Sequence, residues 1–596
     1  MATRQDRAEF IRGVPLFASL SESAVQEIAA RAEETDVAAG DWLFREGDPG
    51  EGLYVLRTGR LEVVREAGDT EILIRSISPG AVLGELAVLT DAPRSASVRA
   101  RRDSGLLGLS SAAFLELVDD ADFALDLTKA LAIQLQASRA VTLPSDPVPP
   151  VIALVPLGEG VASSAFADEL ALALGRWTSV KHLGEDEAAE AASFGDALDH
   201  WERASGQVLL AVDFSAGDEW RAFCMRQADR VVAVTDGAAR HSAPDGALAG
   251  ADLAMLGWPD SRRVLDAWVS ALEPRTVYPV REGDRRAASV DAVGRRLSGH
   301  SPGVVLSGGG ARGLAHIGVL DELLSAGVVL DRIGGCSMGA LVGALFATGL
   351  GPDEVEARLR VELVERNPIS DYTIPLAALV RGRKAEAMLL RLFGDLQIEE
   401  LEREFFCVSS DLVTSELVVH RRGNLYEAVG ASFCLPGIGP PVAAGDRLLV
   451  DGGVLDNLPV ATMAARGEGP VIAVDVSSRF EPPSRGAGGT GRPGLRRVSA
   501  RVRRAIIGWD TPLPSFGETL TRTVVLGSID TAEAAQKHAD VVIAPAVQGI
   551  GLVEFGRIAE IRAQGAGAAR DVLERLPQRV FESAAFGTSS PPRAAR

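Results

Sequence analysis

Two stretches decide how this chain is read: Val304-Val305-Leu306-Ser307-Gly308-Gly309-Gly310-Ala311-Arg312-Gly313, and after it Gly335-Cys336-Ser337-Met338-Gly339. In the first, an apolar strand meets a glycine-rich turn and then a helix. The second repeats the logic, with a short strand ending at Ile333, a G-x-S-x-G turn and an apolar helix from Met338. A serine between two glycines on a tight strand-to-helix turn is held exposed as a nucleophile. The glycines are expected to permit the strained backbone and to let the helix start close to the strand. The first expectation is therefore a serine hydrolase with Ser337 as nucleophile.

In a chain with 63 glycines a lone G-x-S-x-G is weak, but its surroundings strengthen it. The helix after Ser337 is rich in small residues (Gly339, Ala340, Gly343, Ala344). The Gly308–Gly310 turn can aim successive backbone N–H groups at a developing oxyanion, and Arg312 adds positive charge nearby. Removing one such donor from a hydrolase costs about 3–4 kcal/mol of transition-state stabilisation. The base is less obvious. An α/β-hydrolase supplies Ser, Asp or Glu, then His in chain order. The downstream histidines His420 and His538 sit in no glycine-rich loop. Leu448-Leu449-Val450-Asp451-Gly452-Gly453 instead delivers an aspartate to a glycine turn at a strand end. A buried carboxylate has a raised pKa and serves as a general base where it reaches the hydroxyl. Taken alone, Asp-Gly-Gly is also a plain β-turn.

Together, Gly308–Gly313, Gly335–Gly339 and Asp451–Gly453 resemble the patatin-like phospholipase family. Ala431-Ser432-Phe433-Cys434-Leu435-Pro436, followed by Pro440-Pro441-Val442, fits as a fourth block. The resemblance implies a Ser–Asp dyad without histidine. Ser337 is then the nucleophile and Asp451 the base, with Gly308, Gly309, Gly310 and Arg312 at the oxyanion. Asp331 matches another aspartate of this group and is expected either to orient the elbow strand or to sit in a surface turn. His316 reads as a polar residue packed near a helix start.

Residues 1–140 show short alternating segments (41–44, 52–56, 60–64 and 71–77) separated by Gly, Asp and Pro, which suggests a small antiparallel β-roll. Helical stretches flank it near 21–32 and 112–139. The run Gly84–Val98, with Gly47-Asp48 and Gly52-Leu53-Tyr54-Val55 upstream, resembles the cyclic nucleotide-binding domain family. The resemblance implies a phosphate-binding cassette containing Gly84, Glu85, Arg94 and Ser95. Arg94 would offer a fixed charge and a fork of donors to a cyclic phosphate. Glu85 would accept from a ribose hydroxyl. The ligand would be cAMP or cGMP; a ligand-free docking module is the other reading.

Residues 141–150 form a proline-rich linker. Residues 151–290 read as an α/β middle region, because 151–155, 208–212 and 231–234 are continuous apolar runs of parallel-strand type. Helical patterns lie near 165–174 and 218–227. A glycine turn (Leu157-Gly158-Glu159-Gly160-Val161) follows the first run, without the Lys-Ser/Thr of a P-loop or the G-x-G-x-x-G spacing, so a structural or coupling role is expected. Residues 301–577 carry the hydrolase chemistry, and 578–596 read as a disordered tail. Residues 481–494 read as a loop. The order of these regions, with Cys224-Met225-Arg226-Gln227-Ala228-Asp229 and Glu554-Phe555-Gly556-Arg557, looks like the neuropathy target esterase group and its bacterial relatives.

The formal net charge of -20 argues against nucleic acid as a partner. Four scattered cysteines, without metal-type spacing, read as reduced thiols. No metal and no catalytic cofactor are expected. MATRQDRAEF lacks the apolar core of a secretory signal, and the uncharged run 334–351 is full of glycine and reads as core. A cytoplasmic protein is expected, with membrane contact at most peripheral. Leu495, Val498, Val502, Ile506 and Trp509 form one helical stripe, with arginines on the other faces. Residues 495–509 thus read either as a membrane-surface helix or as a helix packed on the hydrolase. The resemblance implies hydrolysis of acyl esters of phospholipids or lysophospholipids under cyclic nucleotide control. A neutral-lipid lipase, an acyl-thioesterase and a non-enzymatic scaffold are the alternatives.

Overall fold

The computed structural model describes residues 4–118, 148–477 and 536–573, except 15–16, 18–20, 68–69, 78, 91, 192, 239–247, 259–261 and 374–377. The expected helix at 495–509, the loop at 481–494, the tail at 578–596 and most of the linker lie outside the described residues. The chain forms two compact units, residues 1–299 and 300–596.

Alternation of apolar and polar residues builds the first sheet, the expected antiparallel roll. Its strands are β1 (Glu33–Val37), β2 (Trp42–Phe44), β3 (Gly52–Ala67), β4 (Thr70–Ile77), β5 (Val82–Leu83) and β6 (Ser97–Ser110). β6 pairs with β1, β2 and β3, and β3 carries β4 and β5. Leu56, Leu61, Leu83, Val98 and Leu106 fill the roll, while Leu53, Val55, Leu107 and Leu109 pack against flanking helices through Ile11, Val25, Ile28 and Phe114. The segments 52–56 and 60–64, expected as two strands, are one bent strand. Gly59, at φ +90°, makes an irregularity in the ladder rather than a turn. The helix expected over 112–139 is described only from Ser111 to Val118.

The second sheet is parallel, in the order β12-β11-β10-β7-β9-β8. Its strands are β7 (Val151–Pro156), β8 (Val180–Leu183), β9 (Gln207–Ala211), β10 (Arg230–Thr235), β11 (Asp252–Leu256) and β12 (Val277–Val280). The three apolar runs expected as strands are β7, β9 and β10, buried between two apolar layers. β8 and β12 have no such signature because they are edge strands; β12 tolerates Pro279 there. Helices Ser163–Leu174 and Asp218–Gln227 match the expected patterns.

These two sheets share one compact unit, and charged side chains join them. Arg60 donates to Asp229 at 3.2 Å, Arg102 donates to the Gln227 carbonyl at 3.1 Å and to Glu202 at 2.6 Å, and Gln227 donates to Asp103 at 2.8 Å. The Cys224–Asp229 motif is thus a socket for the β-roll.

The third sheet has the order β17-β18-β15-β14-β13-β19-β20, with β16 also on β15. Its strands are β13 (Gly303–Leu306), β14 (Arg332–Cys336), β15 (Glu404–Asp411), β16 (Leu417–His420), β17 (Val442–Ala444), β18 (Arg447–Asp451), β19 (Val471–Val474) and β20 (Val541–Ile543). β14 runs on to Cys336 rather than ending at Ile333, because Gly334 stays extended beneath the Phe406 ring: a Cβ there would lie 2.3 Å from the ring carbons. The helix Met338–Ala347 follows and is buried throughout, as expected of core. Among the described residues no helix is long and apolar enough to cross a membrane.

Candidate active site

Register brings Ser337 and Asp451 to one level of the sheet. β15 lies between β14 and β18; its Val408 is opposite Cys336 and its Ser409 opposite Asp451. The residue after Cys336 therefore faces the end of β18 across a single strand. On the other side, Leu306 of β13 pairs with Gly335, so the Ser307–Gly310 turn leaves the sheet beside the elbow.

Ser337 has φ 53° and ψ -119°. A non-glycine residue held there stores about 1–3 kcal/mol of strain. The strain thus falls on Ser337 and not on the flanking glycines. Those are needed for close approach: a Cβ on Gly339 would lie 2.2 Å from the Leu306 carbonyl oxygen, and one on Gly335 would lie 2.6 Å from the Gly339 carbonyl carbon. The Ser337 amide donates to the buried Ser432 hydroxyl at 2.9 Å. That bond ties the elbow to the helix Leu425–Phe433.

Asp451 is 3% exposed. Burial pushes its pKa above the ordinary carboxylate value, and hydrogen bonds from the Ser337 side chain, the Gly453 amide and the Cys336 thiol pull against it. The Gly453 amide donates to Oδ1 at 2.8 Å, and the Cys336 thiol reaches the same oxygen at 3.5 Å. A desolvated carboxylate beside a serine hydroxyl is a competent proton acceptor.

Gly308, Gly309 and Gly310 share with Ser337, Asp451 and Asn457 the lining of a cavity of ≈ 710 Å³, whose apolar wall includes Leu389, Phe433, Leu435, Ile438 and Phe555. The Gly308 amide donates to the Asn457 carbonyl at 3.2 Å, and the Asn457 side chain donates to the Gly308 carbonyl at 3.2 Å. Among the described residues the Gly309 and Gly310 amides meet no acceptor. Arg312, expected at the oxyanion, does not line the cavity; its Nε donates to the Ile550 carbonyl at 2.7 Å.

His316 is buried, pairs through Nε2 with the Ser307 carbonyl at 2.8 Å, and has a pKa pushed down to about 4 by burial. His420 does line the cavity. It bonds to the Ser409 hydroxyl at 2.7 Å, and burial also pushes its pKa down to about 4. Asp331 accepts from the Ser301 hydroxyl at 3.1 Å at the far end of β14, away from Ser337.

In the β-roll, Gly84 and Arg94 meet directly. Gly84 has φ +82°, and a Cβ on it would lie 2.0 Å from Arg94 Nη1. Arg94 is 4% exposed. It lies over the Phe44 ring and donates to the Gly52 carbonyl at 2.7 Å and the Gly84 carbonyl at 3.2 Å. Burial lowers its pKa, against the charges of Tyr54, Asp48, Glu51 and Glu85. Glu85 is buried at the start of the short helix Glu85–Thr90, and Ser95 is exposed.

Two roles were not read from the sequence. Ser432 stood in a block quoted for its resemblance, with no signal that its hydroxyl meets the elbow. Asn457, six residues after Asp451, had no signal in a single sequence.

Comparison with known proteins places both regions in known families. A family model described as patatin-like phospholipase matches residues 304–464, and one described as cyclic nucleotide-binding domain matches residues 34–121. The chain thus carries a phospholipase domain of the patatin-like class. An uncharacterised NTE family protein of Mycobacterium tuberculosis is 34% identical over 590 residues, covering 96% of this chain and 98% of that relative. The chain belongs to the NTE family. A lysophospholipase NTE1 of Coccidioides immitis is 27% identical, over 91% of this chain and 40% of the fungal protein. The N-terminal domain of a transcriptional regulator from Streptomyces coelicolor A3(2) is 32% identical over 22% of this chain and 96% of that one, with a TM-score of 0.20.

Proposed function

We propose that the chain hydrolyses acyl esters of lysophospholipids and phospholipids through a Ser337–Asp451 dyad, under the control of a cyclic nucleotide held at Arg94 and Glu85. The observation that carries the reading is the strained Ser337 turned toward a buried carboxylate of raised pKa in a large, mostly apolar cavity. The names of the fungal relatives support lysophospholipid as the substrate class.

Ser337 Oγ attacks the acyl carbonyl carbon while Asp451 takes the hydroxyl proton. The carbonyl oxygen becomes an oxyanion against the Gly309 and Gly310 amides, which are preorganised for it. The tetrahedral intermediate collapses, and Asp451 returns the proton to the departing glycerol oxygen. Asp451 then deprotonates a water, which attacks the acyl-enzyme, and the fatty acid leaves with Ser337 regenerated. No histidine takes part. Arg312 ties the glycine turn to the Ile550 carbonyl rather than touching the oxyanion.

In this reading residues 1–140, 151–290 and 301–577 are regulatory, coupling and catalytic modules. A ligand in the β-roll changes activity only through unequal affinity for two states of the chain. The test is fatty acid release from lysophosphatidylcholine by the purified chain, with and without cAMP or cGMP. Release that depends on Ser337 and changes with one nucleotide supports the proposal. A chain that cleaves only acyl thioesters or triacylglycerol overturns the substrate class, and equal rates with and without nucleotide overturn the control.

A further inference from the structure

Asp411 ends β15 and builds the turn that follows. It is 2% exposed. Its carboxylate accepts from the Val413 amide at 3.0 Å, the Leu448 amide at 3.2 Å and the Thr414 hydroxyl at 3.1 Å. These bonds hold the carboxylate below its usual pKa. The Leu412 amide donates to the Leu448 carbonyl at 2.8 Å, and Ser415 closes the turn in the left-handed region at φ 60°. The turn is therefore rigid, and what it holds up is apolar: Leu412 is 50% exposed, Val413 60% and the neighbouring Leu448 43%. A turn organised by a buried carboxylate does not need leucine and valine at its tip, and contiguous exposed apolar side chains mark an interaction surface.

Its position names the partner. Leu448 is paired with Ala443 of β17, and all three residues of β17 line the catalytic cavity, as does Leu449. The apolar tip thus continues into the wall of the cavity. We propose that Leu412, Val413 and Leu448 dock on a lipid surface, setting the cavity mouth against the layer from which substrate enters. The proposal rests on the lipid-esterase reading above. The chain's net charge of -20 offers no general attraction to anionic lipid, so insertion of apolar side chains supplies the binding. Docking of this kind is insensitive to salt, unlike docking through the arginines of 495–509.

The experiment uses the full chain and vesicles of phosphatidylcholine, with hydrolysis of a dispersed short-chain ester as the control for an intact site. L412S/V413E is expected to lose about tenfold or more in vesicle binding, in proportion to lost apolar burial, while the soluble ester is cleaved within about twofold of wild type. Wild-type binding is expected to be equal at about 0.1 M and about 0.5 M salt. Should L412S/V413E fold poorly, Val413→Trp gives the opposite readout: tighter vesicle binding, with a blue shift of its added tryptophan emission. Unchanged vesicle binding in L412S/V413E, or no blue shift in Val413→Trp, overturns the proposal. So does a wild-type dimer that the charge splits while vesicle binding persists, which would make the tip a contact with a second copy. If wild type ignores vesicles yet cleaves monomeric lysophosphatidylcholine, docking is wrong and the lipid-esterase reading stands. If it cleaves neither lipid form but cleaves the soluble ester, both fail.

Discussion

The backbone amide of Ser337 donates to the hydroxyl of Ser432, 95 residues further along the chain, at 2.9 Å. The Ser337 N–H is thereby committed to fixing the elbow, and in the proposed mechanism the Gly309 and Gly310 amides are left to meet the oxyanion. Ser432→Ala leaves a buried amide without a partner, a loss of about 1–3 kcal/mol. The predicted result is a fall in kcat of about 10–100-fold with KM nearly constant, because the elbow is displaced more in the transition state than in the substrate complex. A change confined to KM would assign Ser432 to substrate binding instead.

Asp451 gives a pH signature. It must be ionised to accept a proton, and burial raises its pKa. Activity therefore rises with pH along one limb displaced above the ordinary carboxylate range. His316 and His420 both have pKa values near 4, pushed down by burial, so neither contributes a limb close to 6.5. Asp451→Asn is predicted to lose about 10²–10⁴ in kcat, the usual worth of a general base, while His420→Gln loses less than about 100-fold. The stability effect has the opposite sign. The folded state holds the Asp451 proton more tightly than the unfolded chain, so its stability is greatest below the unfolded pKa and is lost as pH rises through the folded one. At neutral pH the Asn variant should unfold at higher urea concentration than wild type.

Arg94 is buried in the β-roll, where it donates to the Gly52 and Gly84 carbonyls. Replacing those neutral acceptors with a phosphate strengthens its bonds. Arg94→Ala is predicted to weaken cyclic nucleotide binding by about 10²-fold, since hydrogen bonds to charged groups are worth about 1.5–3 kcal/mol each. Arg94→Lys should not rescue it, because the ammonium lacks the planar fork. Titration calorimetry with cAMP and cGMP checks both, and equal affinity in wild type and Arg94→Ala would contradict the assignment.

Asp229 is 9% exposed at its side chain and faces Arg60 at 3.2 Å and Arg102 at 3.7 Å. Asp229→Ala removes the carboxylate that these two buried guanidinium groups share, while Arg102 keeps its bond to Glu202, and costs about 1–3 kcal/mol. Adding Arg102→Met should recover part of that loss. Urea unfolding of the single and double variants measures the coupling, and additive losses would show that the pair is not linked.

The parts of the site that follow one another in sequence were legible. Gly335–Gly339 and Val450–Gly453 each pair an apolar strand with a glycine turn, and both turned up at strand ends. What the sequence could not show is what the register adds. Ser432 and Asn457 act on residues 95 and 149 positions away, and nothing in their own neighbourhoods marks them. The role expected of Arg312 followed from its charge and proximity in sequence, but from the short helical turn Gly310–Leu314 its side chain meets the Ile550 carbonyl and does not line the cavity. The glycines were expected to permit the strained backbone, and the positive φ is found on Ser337 between them. Likewise β1, with the sequence Glu-Glu-Thr-Asp-Val, is a strand only because β6 offers it an edge.

The most direct test of the Ser337–Asp451 dyad is fluorophosphonate labelling of the purified chain, read by mass spectrometry of its peptides. A single adduct on Ser337 is predicted, absent in Ser337→Ala and slowed by about 10²–10⁴-fold in Asp451→Asn, with His420→Gln labelled at close to the wild-type rate. An adduct that persists in Ser337→Ala, or labelling that depends on His420 and not on Asp451, would contradict the account.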